Sequence, residues 1–168
     1  MAETDQAKIA EQIRLFGENL RRARLRAGYT QAQLSIAAPL DRAAISRLEC
    51  GERAPDLATL LRICAALDLT PRDLLGSVAP NVSLGLAPSR NKTKGGLGMQ
   101  FGSNLKWARA QAGISQERLA LDAKVDRAAI SVYENGGRDP NLRTVLKLAL
   151  KLGVGPDFLL EGPAKAKS

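Results

Sequence analysis

Two ten-residue stretches combine side chains that can grip a polyanion with side chains that can bury a helix. They are Asp41-Arg-Ala-Ala-Ile-Ser-Arg-Leu-Glu-Cys50 and, 85 residues later, Asp126-Arg-Ala-Ala-Ile-Ser-Val-Tyr-Glu-Asn135. Wound as a helix behind a capping aspartate, the first turns Ile45 and Leu48 inward and leaves Arg42, Ala43, Ser46, Arg47 and Cys50 outward. The outward face holds no acid. It sets long cations beside side chains small enough to let a helix sink into a groove about 12 Å wide. An arginine on the first turn of such a helix can fork onto O6 and N7 of guanine. Arg42 and Arg127 are therefore the first expected base readers. Ala43, Ala128 and Val132 offer methyl contact to thymine, and Arg47 reaches a base or a phosphate. Helix propensity alone explains the alanines equally well.

These stretches need a frame to hold them, and the frame is repeated. Aligning Phe16 to Leu75 with Phe101 to Leu160, without a gap, gives 28 identities in 60 positions. The identities include Gly28/Gly113, Gln31/Gln116, Glu49/Glu134 and Pro55/Pro140. The pattern is that of a duplicated domain. In the first copy Ile9, Ile13, Phe16 and Leu20 recur at helical spacing and predict a helix from about Asp5 to Ala27, stopped by Gly28. A short helix from Thr30 to Ala38 follows, and Thr30 with Gln33 has the form of a capping box. In the second copy Ser115 takes the cap, while Arg118 stands where the box needs Glu or Gln. The central helix ends at Gly51. A basic loop with Arg53 and Pro55 leads to a fourth helix, capped by Asp56 and expected to be buried through Leu57, Leu60, Leu61, Ile63, Cys64 and Leu67. Thr70-Pro71 opens a fifth, short helix carrying Leu74 and Leu75.

The expected organisation is a first domain over residues 1–76, with an N-terminal helix extension, a linker over 77–98, a second domain over 99–162 and a disordered tail over 163–168. The linker has Pro80, Pro88 and several glycines, with Arg90, Lys92 and Lys94 and no acid, and is expected to be flexible. Its three cations serve solubility or touch phosphates. The extra surface of Ile9 and Ile13 extends the first core, or joins two domains or two chains.

Composition narrows the function classes. A net charge of +8 and a pI near 9.9 suit a polyanion partner. Residues 1–76 carry 11 cations against 10 acids, and residues 99–168 carry 11 against 7, so the second half is the more basic. No run of 18 apolar residues occurs, and the start Met1-Ala-Glu-Thr-Asp is unlike a secretory signal, so no membrane partner and a cytoplasmic, nucleoid-associated location are expected. With no histidine and only Cys50 and Cys64, a zinc site or a histidine-based catalytic dyad lacks its groups. No cofactor, metal or enzymatic activity is expected. Cys64 reads as a core residue, and Cys50 as an ordinary surface thiol.

The order helix, Gly, Thr/Ser-Gln-x-x-Leu, turn, Asp-Arg-x-x-Ile-Ser, Glu-x-Gly, Pro-x-Leu-x-Thr-Leu resembles the phage repressor and Cro (XRE) type of helix-turn-helix domain, twice over. That resemblance implies an all-α fold of two tandem five-helix repressor-like domains. It places base reading on Arg42, Ala43, Ser46 and Arg47, and on Arg127, Ala128, Ser131 and Val132. Phosphate contacts fall to Thr30, Gln31 and Arg53 in the first copy and to Ser115, Gln116, Asn135 and Arg138 in the second. Arg24 with Glu49, and Arg109 with Glu134, match an ion pair between helices. The sequence departs from the family where glycine usually leaves the second helix, since Pro39 and Lys124 stand there. Proline is not expected at positive φ, so the first copy needs another turn or a shifted helix end.

The implied function is sequence-specific transcriptional regulation, with repression as the simplest mechanism. The partner is a double-stranded DNA operator of two similar but unequal half-sites, because the reading faces differ chiefly at Arg47 against Val132. Half-sites one turn apart lie about 34 to 36 Å from centre to centre, and a flexible linker of this length has an r.m.s. span of roughly 25 to 28 Å with a longer reach. The chain would act as a monomer or a homodimer, with RNA polymerase or another regulator as a further partner. In the alternative reading one copy binds DNA and the other is a dimerisation or partner-regulator module.

Overall fold

The computed structural model describes residues 2–76 and 97–162. Its helices run α1 (Ala2–Arg26), α2 (Gln31–Ala37), α3 (Arg42–Glu49), α4 (Leu57–Leu67), α5 (Pro71–Leu75), α6 (Leu97–Gln111), α7 (Gln116–Ala123), α8 (Arg127–Glu134), α9 (Leu142–Leu152) and α10 (Pro156–Glu161). No strand is present among the described residues. The chain forms two compact units, made largely of α1–α5 and of α6–α10. The linker assigned from sequence falls outside the described residues up to 96, as does the tail from 163, and α6 already begins at Leu97.

In the first unit α1 packs on α3 and α5, α2 packs on α3 and α4, and α4 meets α5. Phe16, Leu20, Leu34, Ile45, Leu60, Ile63 and Leu74 are at most 1% exposed. Their repeat partners Phe101, Leu105, Leu119, Ile130, Val145, Leu148 and Leu159 are fully buried in the second unit, where α6 packs on α8 and α10 and α7 on α8. Both cores therefore draw on the same positions of the repeat. Ile9 and Ile13 are buried as well. On α4 the expected apolar stripe is too wide: Leu57, Leu60, Ile63 and Cys64 are buried, but Leu61 and Leu67 lie on the flank and are only half-covered.

Close approach of α1 to the end of α3 depends on a glycine. A Cβ on Gly17 would lie 2.5 Å from the Leu48 carbonyl oxygen and 2.8 Å from that of Glu49. The repeat uses Gly102 against the Tyr133 and Glu134 carbonyls in the same way. Asn19 and Asn104 tie the last helix of each unit to the first. The Asn19 amide donates to the Leu74 carbonyl at 2.9 Å, and the fully buried Asn104 donates to those of Phe158 and Leu159 at 3.2 and 3.1 Å.

Most helix starts follow the caps expected of them, but at Thr70 the hydroxyl donates to the Asp73 carboxylate at 2.9 Å instead of capping a helix amide. Thr30 and Gln33 form the reciprocal box, Ser115 accepts from the Arg118 amide at 3.0 Å, and Asp56 accepts from the Thr59 amide at 2.6 Å. Asp126 accepts from the Ala128 amide at 2.7 Å, whereas Asp41 stands at the N-cap position without a side-chain capping bond.

The turns after α2 and α7 differ as Pro39 and Lys124 require. Both close with an amide reaching five residues back, Leu40 to Ser35 at 2.9 Å and Val125 to Ala120 at 3.0 Å. α7 continues to Ala123, and Lys124 takes a left-handed φ of 51°. α2 stops one repeat position earlier, as a proline without an N–H demands. Pro39 nonetheless sits at φ 21°, contrary to the expectation that proline stays out of positive φ. The closing hydrogen bond holds the turn in the same course as its repeat.

Candidate nucleic-acid interface

α3 and α8 present the two reading faces. Their inner sides are anchored by Ile45 and Leu48, and by Ile130 and Tyr133, with Tyr133 set edge-on to Phe101 at 6.1 Å between ring centres. On the outer sides Arg42, Ala43 and Arg47, and Arg127, Ala128 and Val132, are exposed, while Ser46 and Ser131 are half-buried. The periodicity assigned these sides correctly. Arg47 lies along its own helix, its Nε donating to the Ala43 carbonyl at 3.3 Å.

Each reading helix is fixed at its C-terminal end by a charged cluster. Glu49, 8% exposed, accepts from Arg24 through Nε at 2.5 Å and Nη2 at 3.0 Å, and from the Gln31 amide at 2.9 Å. The remaining Arg24 nitrogen, Nη1, donates to the Tyr29 carbonyl at 2.8 Å. In the second unit Arg109 holds Glu134 at 2.6 and 3.1 Å, Gln116 donates to Glu134 at 2.8 Å, and Arg109 donates to the Ile114 carbonyl at 2.9 Å. The ion pairs expected between helices are thus present in both copies. Burial raises the energy of the Glu134 carboxylate, but the hydrogen bonds from Arg109 and Gln116 outweigh it and hold its pKa below the ordinary value. For both arginines the carboxylate bond is the main cause of a raised pKa.

Sequence reasoning missed that the glutamines share this carboxylate. Gln31 and Gln116, expected on phosphate, each have one amide hydrogen committed to their glutamate. The second amide hydrogen is the donor such a contact would use. The signal in the sequence was that both glutamine and glutamate, 18 residues apart, are unchanged between the repeats.

Of the other residues assigned to phosphate, Thr30 and Ser115 stand exposed at the starts of α2 and α7. Arg53 and Arg138 are exposed on the loops after the reading helices. Asn135 is exposed too, and its amide donates back to the Ser131 carbonyl at 2.9 Å. Cys50 is exposed beside the end of α3 and Cys64 is buried in α4, as expected. No described helix is long and apolar enough to cross a membrane.

This arrangement, a short helix, a tight turn and an outward-facing second helix inside a five-helix frame, defines a helix-turn-helix protein. Models of that family, described as "Helix-turn-helix domain" and "Helix-turn-helix", match residues 15–75 and 105–159. The chain belongs to the phage repressor and Cro (XRE) helix-turn-helix family, with two copies in tandem.

Its relatives include two proteins of Bacillus subtilis strain 168. One is the SPbeta prophage-derived uncharacterized HTH-type transcriptional regulator YonR, 44% identical over 62 residues, which are 37% of this chain and 57% of the relative. The other is the HTH-type transcriptional regulator ImmR, 39% identical over 62 residues, 37% of this chain and 49% of the relative. The chain spans about half the length of the curated relatives it matches. A solved structure, the restriction-modification controller protein C.AhdI from Aeromonas hydrophila, is 35% identical with a TM-score of 0.37, covering 39% of this chain and 97% of the controller.

Proposed function

We propose that this chain is a DNA-binding transcriptional regulator acting as a repressor, in which α3 and α8 each enter the major groove of one of two similar half-sites. The observation that carries this reading is the pair of exposed faces, free of acid, on helices locked by the same arginine, glutamate and glutamine cluster. In this reading Arg42 and Arg127 fork onto guanine, each costing about 1 to 3 kcal/mol of discrimination when lost. Ala43, Ala128, Ser46, Ser131, Arg47 and Val132 complete the base-reading surface. Thr30, Gln31 and Arg53, with Ser115, Gln116, Asn135 and Arg138, hold phosphates and set the register without reading sequence. The relatives named as HTH-type transcriptional regulators support the coarser part of this reading, DNA-binding transcriptional regulation.

Two reading domains in one chain would do the work of a dimer, each raising the local concentration of the other to about millimolar. A footprint on the DNA upstream of the gene, at two salt concentrations and with sedimentation to count chains, tests this. One chain should protect two adjacent half-sites, and Arg127→Ala should abolish protection over one of them. Two chains on the same two half-sites, with Arg127→Ala leaving protection untouched, would instead make the second domain a dimerisation or partner module.

A further inference from the structure

The two reading faces differ at Arg47 and Val132, and the loops behind them differ at the residue that touches these positions. Both loops fold back by the same hydrogen bond: the Glu52 amide donates to the Arg47 carbonyl at 3.1 Å, and the Gly137 amide to that of Val132 at 2.9 Å. A Cβ on Gly137 would lie 3.2 Å from Cγ1 of Val132, inside ordinary contact distance. Val132 is β-branched, and its Cγ1 stands against the loop while the residue as a whole remains 40% exposed. Arg47 has a single Cγ, and the residue facing it in the repeat, Glu52, carries the Cβ that Gly137 lacks. Branched with bare, and unbranched with substituted, are the combinations that fit.

We propose that Gly137 is a specificity-determining positioning residue. By leaving room for one Val132 methyl against the loop, it lets the valine keep the rotamer its helix prefers, whose exposed remainder reads the 5-methyl group of thymine. The inference rests on the reading of α8 as a DNA-recognition helix. Gly137 is not among the glycines at positive φ, so an alanine there fits the backbone and acts through Val132 rather than through folding.

The probe is deoxyuridine, which differs from thymidine only in lacking that methyl. In the full chain bound to an operator selected from random duplexes, each thymine of the half-site assigned to α8 is replaced singly. The wild type should lose about fourfold in affinity at one position, the value of one buried methyl-sized group. Gly137→Ala should reduce that loss to less than twofold with the salt dependence of binding unchanged. Val132→Ala should abolish it, and Gly137→Ala added to Val132→Ala should change nothing further. A protected half-site without any uracil-sensitive position, or a Gly137→Ala protein with the full loss, would overturn the inference while leaving tandem reading intact. Absence of protection over the second half-site would overturn both.

Discussion

Gly17 of α1 faces the carbonyl oxygen of Leu48 so closely that a Cβ would lie 2.5 Å from it, with the Glu49 carbonyl at 2.8 Å. The obstacle is backbone at the end of the reading helix, which cannot rotate aside. Gly17→Ala should therefore force α1 and α3 apart and cost about 1 to 3 kcal/mol, with more if the helices cannot shift. Gly102→Ala should do the same in the second unit. Trp107, the single tryptophan, packs on Phe158 at 5.6 Å and makes its fluorescence a readout of that unit. A Gly102→Ala protein with an unchanged tryptophan unfolding transition would show that the contact is not tight.

Removal of Glu49 would leave Arg24, itself 7% exposed, without its carboxylate and Gln31 without its acceptor. Breaking a buried pair on one side typically costs about 3 to 5 kcal/mol. Glu49→Ala should accordingly lower the melting temperature before any change in base preference is seen. Calorimetry of the purified variant checks this, and an unchanged melting temperature would rule out a structural role for the pair.

Acid should weaken the second unit through Glu134. Its carboxyl titrates below the ordinary 4.5 in the folded protein, because its hydrogen bonds from Arg109 and Gln116 outweigh the effect of burial. The folded state thus binds the proton less readily than the unfolded chain. The associated stability is fully present above the unfolded pKa and is lost as pH falls from about 4.5 through the lower folded value. Urea unfolding followed by Trp107 fluorescence should show this loss between neutral pH and about pH 3. Glu134→Gln should flatten that part of the profile. In the first unit Asp56 is also held low, mainly by the Thr59 amide, whereas its repeat partner is the non-titrating Asn141.

Strain at Pro39 is testable by relief. At φ 21° the proline ring is far from its preferred angle, and Lys124 occupies the equivalent turn at 51°. Pro39→Asn should stabilise the first unit by about 1 kcal/mol, since a strained backbone position costs of order 1 to 3, asparagine tolerates the left-handed region and the added freedom of the unfolded chain returns only about 0.4 to 1. Thermal unfolding followed by circular dichroism gives the sign. A lower melting temperature would place the turn's stability in the proline itself.

Much of the frame could be read without coordinates, because its causes are local. The duplicated spacing, Thr30 and Ser115 as caps, and Ile45 and Leu48 on one side with Arg42 and Arg47 on the other follow from helix periodicity and from end groups that need partners. The Arg24 to Glu49 pairing came from resemblance rather than from any local rule. What tertiary structure alone decided depends on how helices cross, which periodicity does not encode. It brought the Gln31 amide to the carboxylate of Glu49 and set Gly17 under the Leu48 carbonyl. It also left Leu61 and Leu67 half-covered on the flank of α4, although a helical wheel counts them with the core. Side-chain type and spacing determine which face a residue occupies, whereas its neighbour across the interface follows from the packing distance and angle between whole helices.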